Sequence, residues 1–80
     1  MKDEPSELER RLLADAAELD DAGSPEASIA AALLREAAGA MAECRRAFAL
    51  WEIYHDVQNY VTYIGAIDAT RAAVARLEAK

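Results

Sequence analysis

One cysteine, one histidine, two prolines, three glycines and five aromatics are all that these 80 residues hold of the types that staple a fold or build a reactive site. With Cys44 alone, no disulfide forms within the chain, which points to a reducing cytoplasm rather than the oxidising setting of small secreted domains. One cysteine and one histidine do not close a zinc site in a monomer. A cysteine–histidine nucleophile is disfavoured as well, because Cys44 falls on an apolar stripe and His55 stands beside an expected helix end, where capping or solvent exposure is its expected role. Asp20 and Asp21 belong to a solvated helix end, and glycine-rich phosphate loops are missing. The expectation is a protein that is not an enzyme and uses no cofactor and no metal.

Long apolar runs are missing too, so no membrane span is expected. The opening Met1-Lys2-Asp3-Glu4-Pro5 is acidic and lacks the basic-then-apolar pattern of a signal peptide. Basic residues are scarce only in one region. Met1 to Glu26 holds nine acidic and three basic residues, whereas Ala27 to Lys80 holds six of each, so the net charge of −6 belongs to the first third. That field repels phosphate backbones and anionic lipid, which argues against nucleic-acid partners and membrane insertion.

What is abundant is alanine, 20 of the 43 hydrophobic residues. Alanine favours helix at little entropic cost but buries little area. In a single domain of this length stability is then marginal, and a partner chain, identical or different, is expected to cover apolar surface. The aromatics are gathered instead of spread: Phe48, Trp51, Tyr54, Tyr60 and Tyr63 fall within sixteen positions. Large apolar surface is therefore concentrated at one place.

The local signals are helical throughout. Ser6 and Glu9 form a capping box ahead of Leu8, Leu12, Ala16 and Leu19, which predicts a first helix over residues 7–21. Gly23-Ser24-Pro25 supplies a left-handed stop, an N-cap and a first-turn proline in succession, so a second helix starts at 25. From Ile29 a stripe runs through Leu33, Ala37, Met41, Cys44, Phe48 and Trp51 at helical steps. The next boundary rests on Asp56 as a cap for a helix opening at Val57, with one continuous helix from Pro25 to Ala79 as the alternative. Reversal at His55 and Asp56 sets Trp51 opposite Tyr60, Phe48 opposite Ile64, Cys44 opposite Ile67, Ala37 opposite Val74 and Leu34 opposite Leu77. The expected fold is all-α: a single small domain, residues 1–80, with an acidic N-terminal helix segment (1–23) ahead of an antiparallel helical hairpin (24–80) of helices 25–53 and 57–78. Gly39 and Gly65 interrupt helices, either for close backbone approach or at open surface.

In size and acidity the chain is similar to acyl carrier proteins, but Ser6, Ser24 and Ser28 lack the Asp-Ser-Leu context that carries their prosthetic group. A different resemblance runs from Leu8 to Leu77. Asp56-Val57-Gln58-Asn59-Tyr60, the stretch Ile64-Gly65-Ala66-Ile67-Asp68-Ala69, the run Ala42-Glu43-Cys44-Arg45-Arg46 and the leucine pattern Leu8, Leu12, Leu13 resemble the E-type needle co-chaperones of type III secretion systems (the YscE/PscE/SsaE/EscE-like family), with a look favouring the SsaE/EscE branch. The aromatic-rich 47–55 segment and the acidic first helix depart from that pattern.

The resemblance implies a cytoplasmic chaperone role in protein–protein interaction: binding a tetratricopeptide-like (TPR-like) G-type co-chaperone in a ternary complex that keeps the needle subunit monomeric before export. It places partner-binding residues among Phe48, Trp51, Tyr60, Tyr63, Ile64 and Ile67, the alternative being that these residues only close the helical pair. A homodimer of the chain when alone is compatible with the same stripes. Two other classes stay open: a self-associating helical structural protein, and an acidic inhibitor that mimics nucleic acid through the carboxylates from Asp3 to Glu26.

Overall fold

Each helix of the computed structural model begins on chemistry that the chain supplies locally, and the first two also end on it. The structure describes residues 4–78; the Met1–Asp3 start and the Ala79 end of the continuous-helix alternative lie outside them. Helix α1 runs Glu7–Ala22, α2 Pro25–Tyr54 and α3 Val57–Glu78, with no strand among the described residues. Ser6 caps α1 by accepting the Glu9 amide at 3.2 Å. Gly23 closes it in the left-handed conformation, φ 79°, donating its amide to the Asp20 carbonyl at 3.2 Å. Ser24 then accepts the Ala27 amide at 3.0 Å, and Pro25 occupies the first turn, where its missing N–H leaves no bond unmade.

The break between α2 and α3 is made without proline or glycine. His55 takes a left-handed conformation, φ 54°, and donates its amide to the Trp51 carbonyl at 2.8 Å. Its imidazole rests on the Trp51 indole, ring centroids 4.4 Å apart, a contact that helps hold a backbone angle non-glycine residues rarely adopt. Asp56 accepts the Asn59 amide at 2.8 Å and starts α3. The continuous helix is thereby replaced by two.

α3 returns along α2 in the opposite direction. Trp51 meets Tyr60 at 5.8 Å between ring centroids, Phe48 meets Tyr63 at 5.1 Å, the Thr70 hydroxyl donates to the Ala40 carbonyl at 3.2 Å, and Arg76 pairs with Glu36. α1 also lies antiparallel to α2, on another side of it, with Glu9 paired to Arg45 and Asp20 to Arg35. α1 and α3 do not meet.

The result is a single layer with α2 in the middle, 46 × 27 × 13 Å in Cα extents. Its radius of gyration, 14.3 Å, exceeds the roughly 11.6 Å expected of a compact chain of this length. Its accessible surface, 5579 Å², exceeds the roughly 4,700 Å² expected of a compact monomer of this mass. Among the described residues the buried hydrophobic ones are Ala16, Ala27, Ala31, Ala37, Ala38, Ala47 and Ala73, all alanines, and no large side chain is fully buried. Small side chains let the helices approach, and the larger ones are left along the seams and outer faces.

One sequence expectation is corrected and one open alternative is decided. Leu8, expected on the inner face of α1, is 55% exposed; Glu9 holds the inward position instead, 4% exposed. Gly39 and Gly65 are surface positions with nothing within 4 Å of a Cβ built there, which decides for the open-surface alternative.

Candidate protein-binding surface

The six candidate residues stand close together but separate into two groups. Trp51, Tyr63 and Ile67 are half-buried in the α2–α3 seam. Trp51 is the hub of the aromatic group, 6.3 Å from Phe48, 5.8 Å from Tyr60 and 6.2 Å from Tyr63 by ring centroid, the last pair nearly parallel. These separations are those at which aromatic rings attract beyond their area of contact. Phe48, Tyr60 and Ile64 form the exposed edge of the same group, at 37%, 49% and 38% exposure. This edge is open to solvent without any separation of α2 from α3.

Sequence reasoning missed Leu50, Ile53, Val57 and Val61, all exposed at the same end of the molecule. Val57, Tyr60, Val61 and Ile64 are spaced i, i+3, i+4, i+7, the interval that keeps side chains on one flank of a helix. The signal was present in the spacing, masked by the competing register that assigns Ile64 to Phe48.

At the opposite side of α2, Glu9 is the one buried charged group among the described residues. Arg45 donates through Nη2 to Oε1 at 3.2 Å and through Nε to Oε2 at 3.3 Å, while the Ser6 hydroxyl donates to Oε2 at 3.3 Å. Burial pushes the carboxyl upward, but the Arg45 hydrogen bond, the Ser6 backbone amide, the Arg45 charge and the Ser6 hydroxyl outweigh it and hold the group below its ordinary value of 4.5. A fully partnered carboxylate of this kind locks one helix on another.

Cys44 is a half-buried free thiol on α2, and no group of His, Cys, Asp and Glu that could hold a metal ion occurs among the described residues. No helix of the described residues is long and apolar enough to cross a membrane. What the arrangement offers chemically is apolar contact area beside an acidic helix. No family model, curated protein or solved structure matches the chain.

Proposed function

We propose that the chain is a cytoplasmic, non-enzymatic co-chaperone of a type III secretion system. In this reading α2 and α3 act as an antiparallel helical hairpin that binds a TPR-like G-type partner and helps keep the needle subunit monomeric before export. The observation that carries it is the exposed edge Phe48, Tyr60 and Ile64, on a molecule with roughly 850 Å² more surface than a compact monomer of its mass. One partner in a standard-size complex gives up about 800 Å². Stacked helix pairs of a TPR-like protein present concave helical surfaces suited to such an edge, and a bound needle helix has its polymerising face covered.

The test is reconstitution with the G-type protein of the same secretion system. Ile64→Asp and Tyr60→Ala abolish the complex in gel filtration with light scattering while leaving helicity unchanged; complexes that survive both substitutions rule the reading out. A second reading, a self-associating helical protein, is favoured by the outer strip Val57 and Val61, at 79% and 62% exposure, on a segment whose charges balance. Sedimentation of the chain alone, with and without Val61→Asp, separates the two.

A further inference from the structure

The two neighbours of α2 fix two lines along it. α3 lies over the line through Ala40, Ala47 and Trp51, and α1 over the line through Ala31, Ala38 and Arg45. At about 100° of turn per residue these lines stand roughly 160° apart by one route and 200° by the other. On the narrow side lie Leu34, Met41 and Phe48, seven residues apart, which drift by only about 20° per step and so make one seam. All three keep solvent exposure between the flanking helices. The wide side carries Gly39, Glu43 and Arg46, all exposed. Glu36–Arg76 and Asp20–Arg35 pair across that same wide side, with the exposed Leu50 farther along it, so two ion pairs between helices mark one face of the layer and the Leu34–Met41–Phe48 seam marks the other.

The seam face is a shallow trough: α1 and α3 stand only slightly above the plane of α2 and do not meet over the seam. Its α3 wall is Tyr60 and Ile64, followed by the Asp68–Arg71 pair, which is neutral in sum. Its α1 wall is Leu8 and Asp15, with Glu18 one turn on and Arg11 one turn before. Neither Asp15 nor Glu18 forms an ion pair among the described residues, and the net charge of −6 resides in the first 26 residues. We propose that this trough seats one amphipathic helix of a partner protein, with its apolar stripe on Leu34, Met41 and Phe48 and a basic flank against α1.

The seam from Leu34 to Phe48 spans roughly 21 Å, the length of a four-turn helix. Adding one helix there completes a four-helix arrangement around α2. A second copy of this chain brings either its acidic α1 or charge-balanced helices, and neither offers the basic flank. The inference deepens the proposed function by naming the chemistry of the helix that the Phe48–Ile64 edge receives.

Two synthetic amphipathic peptides test it, each about 18 residues long with leucine at heptad spacing, one bearing lysine along one flank and the other glutamate. Binding to the full chain is read from the fluorescence of Trp51, its sole tryptophan, whose ring lies 6.3 Å from Phe48. The lysine peptide binds and the glutamate peptide binds at least about ten-fold more weakly, a gap that closes in high salt. Met41→Glu and the milder Met41→Gln weaken binding with circular dichroism unchanged, and the Asp15→Lys/Glu18→Lys double variant removes the preference for lysine.

Failure of the lysine peptide to bind, equal binding of both peptides, or indifference to Met41→Gln overturns the proposal. So does a wild-type dimer that Met41→Glu dissociates, which assigns the trough to a second copy. Met41, Asp15 and Glu18 lie outside the edge used for the reconstitution test, so a negative result here leaves that test standing.

Discussion

Glu9 and Arg45, 36 residues apart in sequence, join the first turn of α1 to the second half of α2 through two hydrogen bonds of 3.2 and 3.3 Å. The pair stands at the far end of α1 from the Gly23 turn, so it fixes the angle at which the acidic helix lies on the layer. The side-chain exposures, 5% for Glu9 and 21% for Arg45, put it out of the class of surface pairs that contribute nothing measurable.

Arg45→Ala leaves the Glu9 carboxylate buried beside Ser6 without its cation. The expected cost is about 2–3 kcal/mol, read as a lower thermal midpoint. The exposed pair Arg46–Glu43, within one helical face, supplies the control: Arg46→Ala changes stability by less than about 0.5 kcal/mol.

The same pair sets a pH dependence. Because the folded chain holds the Glu9 carboxyl below 4.5, the unfolded chain takes up that proton first as pH falls. The stabilisation is therefore complete above the ordinary carboxylate value and is lost as pH drops through the lowered folded one. Thermal melts from about pH 7 to about pH 3 show a steeper acid loss in the wild type than in Glu9→Gln, the remaining carboxylates being common to both. Parallel curves contradict the role given to Glu9.

The three glycines give opposite outcomes on replacement by alanine. Gly39 and Gly65 are helical and face open space, so each substitution stabilises by about 1 kcal/mol. At Gly23, where φ is 79°, space is also open but the left-handed backbone is not, and alanine costs about 1–2 kcal/mol. Denaturant midpoints of the three single variants check the set.

The aromatic group separates stability from binding. Trp51→Ala removes the ring that Phe48, His55, Tyr60 and Tyr63 all rest against, and costs about 3 kcal/mol of stability. Tyr60→Ala costs less than half as much stability but weakens partner binding by about 2 kcal/mol or more. Calorimetry of the free chain and titration against the partner give the two numbers for each variant.

The helices were legible because their ends are written in adjacent residues: Ser6 with Glu9, Gly23-Ser24-Pro25, and Asp56 with Asn59. The pairing of Trp51 with Tyr60 followed from the hydrophobic period once the reversal point was set. The Glu9–Arg45 pair was not legible, since nothing local links residues so far apart and Glu9 already had a capping role to explain it. The exposed edge was only half legible. Spacing shows which residues share a helix face, but whether Phe48 and Ile64 are covered depends on where α1 lies, and α1 is placed by Arg45 and the alanines of α2.

The most direct measurement is capture of a tagged chain from its own host while the secretion system is expressed, with mass spectrometry of the components and of the intact assembly. The account predicts recovery of a TPR-like protein together with a small needle-type subunit, and loss of both with Ile64→Asp. Recovery of this chain alone as a discrete oligomer contradicts it.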